Sequence, residues 1–145
     1  MDKILIDTDV ILDFFFDRQP FSGHAAQVFS LCELKQLHGY ITPVICSNVY
    51  YLLKQTAKHE KVIEKLTRLL LIMDVLMIDK TTIIQALNSD FKDFEDALQN
   101  FAAEKTGDMD AILTRNIKDF KNSELGVMTP ENYLKTKIKK FGHLI

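Results

Sequence analysis

Lys3-Ile4-Leu5-Ile6-Asp7-Thr8-Asp9-Val10-Ile11-Leu12-Asp13-Phe14-Phe15-Phe16 is the stretch that decides the fold. Ile4, Leu5 and Ile6 make a short unbroken apolar run, the pattern of a strand buried on both faces. Two carboxylates, Asp7 and Asp9, follow at its carboxyl end, and apolar residues resume at helical spacing from Val10. Strand, acidic turn and helix in that order begin an open parallel α/β sheet, where ligands bind just beyond the carboxyl ends of the strands. Thr8 or Asp9 could cap the helix through a side-chain oxygen. Asp7, hard against the buried run, is less readily explained that way and stands where a metal or phosphate would be handled.

Outward from this stretch, Asp17-Arg18-Gln19-Pro20 breaks the pattern. Phe21, Ala25, Val28, Phe29, Cys32 and Leu37 then predict a helix that His38-Gly39 ends, with a second strand at Tyr40-Ile41-Thr42. Ser47 or Asn48 is expected to cap the next helix, His59-Glu60 to break it, and a further amphipathic helix to run from Lys61 to Ile72. Val75 to Ile78 reads as the third strand, with Thr81 or Thr82 capping the helix after it. The acidic segment Asp90-Phe91-Lys92-Asp93-Phe94-Glu95-Asp96 leads into a helix through Ala97, Leu98, Phe101 and Ala102. Ala111-Ile112-Leu113-Thr114 is the fourth strand and Val127-Met128 part of a fifth, before Thr129-Pro130-Glu131 opens the last helix with a cap and a first-turn proline. This alternation predicts an α/β fold, a three-layer α/β/α sandwich around a central parallel sheet of about five strands. Residues 1–145 are read as a single domain.

The net charge of −2 gives no global attraction for nucleic acid, so RNA or DNA would have to be held by local clusters of Lys and Arg. Cys32 and Cys46 lie in apolar settings without a CxxC spacing and are expected to be free thiols. The chain starts directly on its first strand rather than on a signal peptide, and its richest apolar segment, Leu69 to Ile78, is too short to span a bilayer. A cytoplasmic protein without a membrane partner is the expectation.

The sheet reading brings polar groups from distant segments towards one edge. Asp7 and Asp9 follow the first strand, Asn48 the second, Asn116 and Asp119 the fourth; Asp93, Asp96 and Asn100 share a helix face. A hard divalent ion takes oxygen ligands from one or two carboxylates and completes its shell with water and phosphate, which suits such a cluster. Each member also has an ordinary explanation: acids favour helix N-termini, Asn48 could be a plain cap, and Asp119 a turn residue.

These residues carry a resemblance. Leu5-Ile6-Asp7-Thr8-Asp9-Val10-Ile11-Leu12-Asp13, the helix start Asp93-Phe94-Glu95-Asp96-Ala97-Leu98, and Leu113-Thr114-Arg115-Asn116 with Asp119-Phe120 resemble a PIN domain, the metal-dependent nuclease fold that includes the VapC-type toxins. The resemblance implies an acidic pocket that binds Mg2+ or Mn2+ and hydrolyses phosphodiesters, usually in RNA, with an antitoxin protein as a possible partner. By position Asp7 matches the family's first acid and Asp96 its third. Asp9 stands where many members have Asn. The second acid, usually Glu, falls on Asn48, and the fourth on Asn116 or Asp119. Asn carries no charge, so each replacement weakens the attraction for a cation. On this reading Asp7, Asp96 and Asp9 are the metal ligands, and Asp93 and Asp119 complete the catalytic set by orienting water. Asn48, Thr114, Arg115 and Asn116 are then expected to contact substrate, with Arg115 as a phosphate contact.

Lys135, Lys137, Lys139 and Lys140, with His143 beyond, could grip a nucleic-acid backbone but are expected to be a solvated helix face. Tyr50 and Tyr51 offer rings for single-stranded bases, although packing accounts for at least one of them. Phe14, Phe15 and Phe16 are expected in the core; an exposed Phe there would suit a homodimer or an inhibitory partner's helix. Two rival readings are a PIN-like module that binds RNA or protein without cutting, and a haloacid-dehalogenase-like phosphatase. The latter rests on Asp7-Thr8-Asp9-Val10 with Gly107-Asp108-Met109-Asp110 as a later acidic motif. The nuclease reading requires Asp7 and Asp96 to meet in one water-accessible anionic notch.

Overall fold

The computed structural model describes residues 1–141, with side chains described through Lys137. Strands β1 (Asp2–Ile6), β2 (Leu37–Ile41), β3 (Met73–Val75), β4 (Ala111–Leu113) and β5 (Gly126–Met128) form one sheet in the order β3-β2-β1-β4-β5. Every pairing is parallel. The central position of β1 explains its sequence: Ile4, Leu5 and Ile6 are fully buried, with Ile6 in register with Leu113 of β4. The chain winds outward from β1 through β2 to β3, then returns to the other side of β1 for β4 and β5. Winding therefore reverses between β1 and β4, the crevice in which open α/β sheets take their ligands.

The helices are α1 (Thr8–Phe15), α2 (Ser22–Glu33), α3 (Pro43–Lys54), α4 (His59–Ile72), α5 (Lys80–Leu87), α6 (Phe94–Lys105) and α7 (Pro130–Phe141), with a 3-10 turn at Ile117–Phe120. Helix α1 packs on α2 and α3, α4 on α3, and α7 on α2, while α5 pairs with α6. The result is the three-layer α/β/α arrangement that the alternating pattern predicts. Among the described residues no helix is long and apolar enough to cross a membrane.

Several boundaries differ from the sequence expectation, each for a local reason. Asp7 itself caps α1, its Oδ1 accepting the Thr8 N–H at 2.8 Å. Thr42 caps α3 by accepting the Ile45 N–H at 3.1 Å, with Pro43 in the first turn, so Ser47 and Asn48 lie inside the helix. Asp79 rather than a threonine caps α5, and its Oδ1 takes both the N–H and the hydroxyl of Thr82. His59 and Glu60 start α4 instead of breaking it. The apolar run from Leu69 holds no periodicity to mark the helix end; the backbone becomes extended at Met73, so β3 precedes the expected Val75–Ile78.

His38 and Gly39 belong to β2, because α2 has already ended at Glu33 and Lys35 turns the chain with φ 58°. A Cβ on Gly39 would lie 2.7 Å from Cys32 Sγ and 3.3 Å from Ile6 Cδ1, so the strand needs glycine where α2 crosses it. Cys32 and Cys46 are free, and burial pushes the Cys32 thiol up to about 12. Phe15 and Phe16 pack partly against the core, but Phe14 remains 39% exposed while stacking on Phe29 at 4.4 Å. In α7, Lys137 is buried on Asp2 at 2.8 Å rather than solvated, and Lys135 reaches Glu131 at 3.6 Å. Lys139, Lys140 and His143 lie outside the residues whose side chains are described.

Candidate metal centre at the β1–β4 crevice

Asp7 leaves β1 with its N–H on the Leu113 carbonyl at 3.0 Å, which fixes it between the two strands. Its Oδ2 accepts the Thr114 hydroxyl at 2.9 Å. That hydroxyl accepts the Asn116 N–H at 3.0 Å and also lies 3.3 Å from Asp9 Oδ2. With one proton to give, it serves Asp7, the nearer acceptor. Asp9 Oδ2 takes the Arg115 N–H at 2.9 Å and the Asn116 side-chain amide at 3.3 Å, while its buried Oδ1 has no hydrogen-bond partner.

The facing wall comes from α6 and α3. Asp93 caps α6 by accepting the Asp96 N–H at 2.9 Å, and Asp96 lies within electrostatic reach of Asp7. A buried hydrogen bond from the Thr42 hydroxyl to Gln99 Oε1 ties the start of α3 to α6. A second link joins the same two helices, where Asn48 Nδ2 donates to Glu95 Oε2 at 2.9 Å. Asp7, Asp9, Asn48, Asp93, Asp96 and Asn116 thus line one open cleft of about 590 Å3, together with Glu95, Arg18 and Tyr51.

The acids repel one another. Burial, then the Asp9 charge, raises Asp7 to about 6, against the pull of its bonds from Thr114 and Thr8. Burial, then Asp7, Asp93, Asp119 and Glu95, raises Asp96 to about 7, and among the described residues Asp96 forms no ion pair with a lysine or arginine. Asp9 is also raised, chiefly by burial, with Arg115 opposing. Two carboxylates held this way stay partly protonated near neutral pH, and a cation that joins them favours the ionised form of both.

Not every expected residue faces the cleft. Thr114 is fully buried and orients Asp7 from behind. Arg115 is no phosphate contact: its Nε and Nη2 donate to Asp13 at 2.7 and 3.1 Å, and its guanidinium stacks on Phe21 at 4.2 Å. Only its backbone N–H reaches the site, at Asp9. Asp119 lines the neighbouring cavity, within electrostatic reach of Asp7 and Asp96. Tyr50 packs inward with its hydroxyl 2.9 Å from His59, whereas Tyr51 is 66% exposed at the cleft. Glu95, Arg18 and the buried Asp13 were missed. Asp13 had a signal: a carboxylate next to the buried Val10, Ile11 and Leu12 of a short helix needs a cationic partner.

The phosphatase reading fails on position. Asp110 Oδ2 accepts the Lys3 N–H at 2.8 Å and Asp108 pairs with the Lys3 ammonium, so that motif lies at the start of β1, at the opposite end of the strand from Asp7.

Asp7, Asp96 and the unpartnered Asp9 Oδ1 are all oxygens, as Mg2+ or Mn2+ would require. Among the described residues no three His, Cys, Asp or Glu side chains are grouped closely enough to hold an ion by themselves, so water and phosphate would have to complete its shell. The residues fit such an ion.

Fold and cleft together define a doubly wound α/β domain with an acidic, oxygen-lined centre at its switch point. Residues 3–118 match the PIN domain family, and the chain belongs to it. It is similar to Ribonuclease VapC1 of Aquifex aeolicus (strain VF5), 24% identical over 137 residues that cover 91% of this chain and 93% of the relative. Among solved structures it resembles a toxin–antitoxin complex from Klebsiella pneumoniae, with TM-score 0.63, 22% identity and 88% and 97% of the two chains covered. It also resembles VapBC2 from Rickettsia felis, bound to a DNA fragment from its promoter, with TM-score 0.63, 14% identity and 87% and 96% covered.

Proposed function

We propose that the chain is a divalent-metal-dependent endoribonuclease of the VapC kind and the toxin of a toxin–antitoxin pair. The observation that carries this reading is the convergence of Asp7 and Asp96 across the crevice, with neither ion-paired to a basic side chain among the described residues. Asp7, Asp96 and Asp9 would hold Mg2+ or Mn2+. Such an ion, when bound, polarises a phosphoryl oxygen and lowers the pKa of its water.

The chain's own residues supply the rest. Thr114 and the Thr8 N–H aim Asp7, and Asp93 fixes the first turn of α6 that presents Asp96. Glu95, bonded to Asn48, returns a negative charge beside the position where the family usually carries its second acid. Arg18 lines the same cleft with its guanidinium 3.7 Å from Asp13 and over the Phe16 ring, and the exposed Tyr51 offers a ring to an unpaired base.

The antitoxin assignment draws on the named relatives and on a separate surface. Phe14, Phe15, Phe29, Leu69 and Ile72 line an apolar depression of about 590 Å3, suited to an apolar segment of a protein partner.

Incubation with Mn2+ and a mixed single-stranded RNA pool tests the reading. Internal cleavage by the wild type, lost in Asp7→Asn and Asp96→Asn, is the expected result. RNA retained but uncut by all three proteins would refute catalysis and favour a binding module, the reading to which Asn48 and Asn116 lend themselves.

A further inference from the structure

Beyond the wall made by Asp93, a second cavity of about 360 Å3 opens between the loop before α6 and the 3-10 turn. Lys92, Lys118 and Lys121 line it, alongside Asp93, Asp119 and Asn122. All three lysines are exposed. None forms an ion pair or side-chain hydrogen bond among the described residues, although two carboxylates share the cavity. Three lysines against the two aspartates of the same lining leave one positive charge in excess at this opening, in a chain of net charge −2.

The cavity is held in shape from beneath. Phe91, next to Lys92, packs edge-on against Phe101 and Phe120 with ring centres 5.8 and 6.2 Å apart. Phe120, between the two other lysines' positions in sequence, is almost fully buried. Asn122 Nδ2 donates to the Asp90 carbonyl at 3.1 Å and so ties the second segment to the first. Lysines from two distant stretches are therefore carried on anchored backbone, with only their side chains free.

A polyanionic strand entering the acidic cleft is repelled there, and the neighbouring basic cavity shares Asp93 as a common wall. We propose that Lys92, Lys118 and Lys121 form a backbone-phosphate subsite that grips single-stranded RNA on the Asp93 side of the cleft, flanking the phosphate held there. The proposal rests on the ribonuclease reading of the cleft. The contacts are ionic and sequence-independent; they position the strand and take no part in chemistry.

The test compares the wild type, Lys92→Ala/Lys118→Ala/Lys121→Ala, the corresponding triple Lys→Arg variant, and a control, Lys58→Ala/Lys61→Ala/Lys80→Ala, that removes equal charge elsewhere. Binding of a fluorescein-labelled mixed-sequence single-stranded RNA is followed in EDTA across a salt series. Each phosphate contact on a single strand contributes a log–log salt slope of about −0.7, so the triple Ala variant is expected to lose about 2 from the slope. Over a fourfold rise in salt its affinity then falls roughly 20-fold less than that of the wild type. The Arg variant and the control keep the wild-type slope, and in Mn2+ the triple Ala variant raises KM with little change in kcat. An unchanged slope in the Ala variant, or an equal loss in the control, overturns the subsite while leaving wild-type cleavage, and so the ribonuclease reading, intact. A wild type that neither binds nor cuts the RNA overturns both.

Discussion

Replacing Asp96 by Asn should stabilise the metal-free protein, and only at neutral and higher pH. The Asp96 carboxyl ionises at about 7 instead of the ordinary 3.8, because burial and then the charges of Asp7, Asp93, Asp119 and Glu95 disfavour its anion. A carboxylate raised in the folded state binds more protons there than in the unfolded chain, so stability falls as pH climbs from the unfolded value through the folded one. The full shift corresponds to about 4 kcal/mol. Asp96 is only half-buried, and solvent screening reduces the expected gain to about 2 kcal/mol. In a chain of this size that is a rise of roughly 4–8 °C in Tm. Thermal unfolding in EDTA, read by circular dichroism, should show this gain near pH 8 and almost none near pH 3, where both states of the wild type are largely protonated. Saturating Mn2+ should reverse the order, since an ion that binds only the folded wild type stabilises it by mass action. A variant less stable than wild type in EDTA at pH 8, or a gain that does not change with pH, would refute the repulsion argument.

Cation binding should release protons near pH 6, where Asp7 and Asp96 are partly protonated, and cease to do so above about pH 8; calorimetry in two buffers of different ionisation enthalpy measures this. Glu95→Gln should weaken Mn2+ binding by about threefold to tenfold, the scale expected of an outer residue beside a metal site, while leaving the fold intact. Asp13→Asn leaves the Arg115 guanidinium without its anion and should cost about 3 kcal/mol, seen as a lower urea midpoint. Gly39→Ala forces a methyl against Cys32 Sγ and should cost about 1–3 kcal/mol; pairing it with Cys32→Ala should recover much of that loss in a double-mutant cycle.

The strands' buried runs, the parallel alternation and the meeting of Asp7 with Asp96 were legible because they follow from short-range patterns and one topological rule. Ile4-Leu5-Ile6 and Ala111-Ile112-Leu113 have nowhere to go but the sheet centre, and the residues after them meet at the switch point. Helix starts were less legible. Thr42, Asp79 and Asp93 each cap a helix, yet suitable caps such as Ser47, Thr81 and Thr82 stand close by, and only the tertiary position of the first turn chooses among them. Arg115 was misread because a loop arginine next to an acidic site looks the same in sequence whether it faces phosphate or a carboxylate behind the site. The spacing from Asp13 to Arg115 spans most of the fold, and no local pattern encodes that pair.

That pair bears on how the cleft keeps its charge. Asp7 and Asp9 are oriented by the Thr8 and Arg115 N–H groups, the Thr114 hydroxyl and the Asn116 amide, all of which donate hydrogen bonds while adding no full charge. The nearest guanidinium on β4's exit, that of Arg115, is turned away by two bonds to Asp13 and by the Phe21 ring. Asp13 therefore does more than satisfy an arginine: it engages a guanidinium whose charge offsets the burial of Asp9 only in part. The mutual repulsion at Asp7 and Asp96 is left to be relieved from outside. The neutral Asn48 and Asn116 lower the number of charges that an incoming ion meets, and Glu95, held on Asn48, restores one of them at the rim. The attraction of this cleft for a divalent ion is thus set by what the fold withholds from it as much as by the carboxylates it presents.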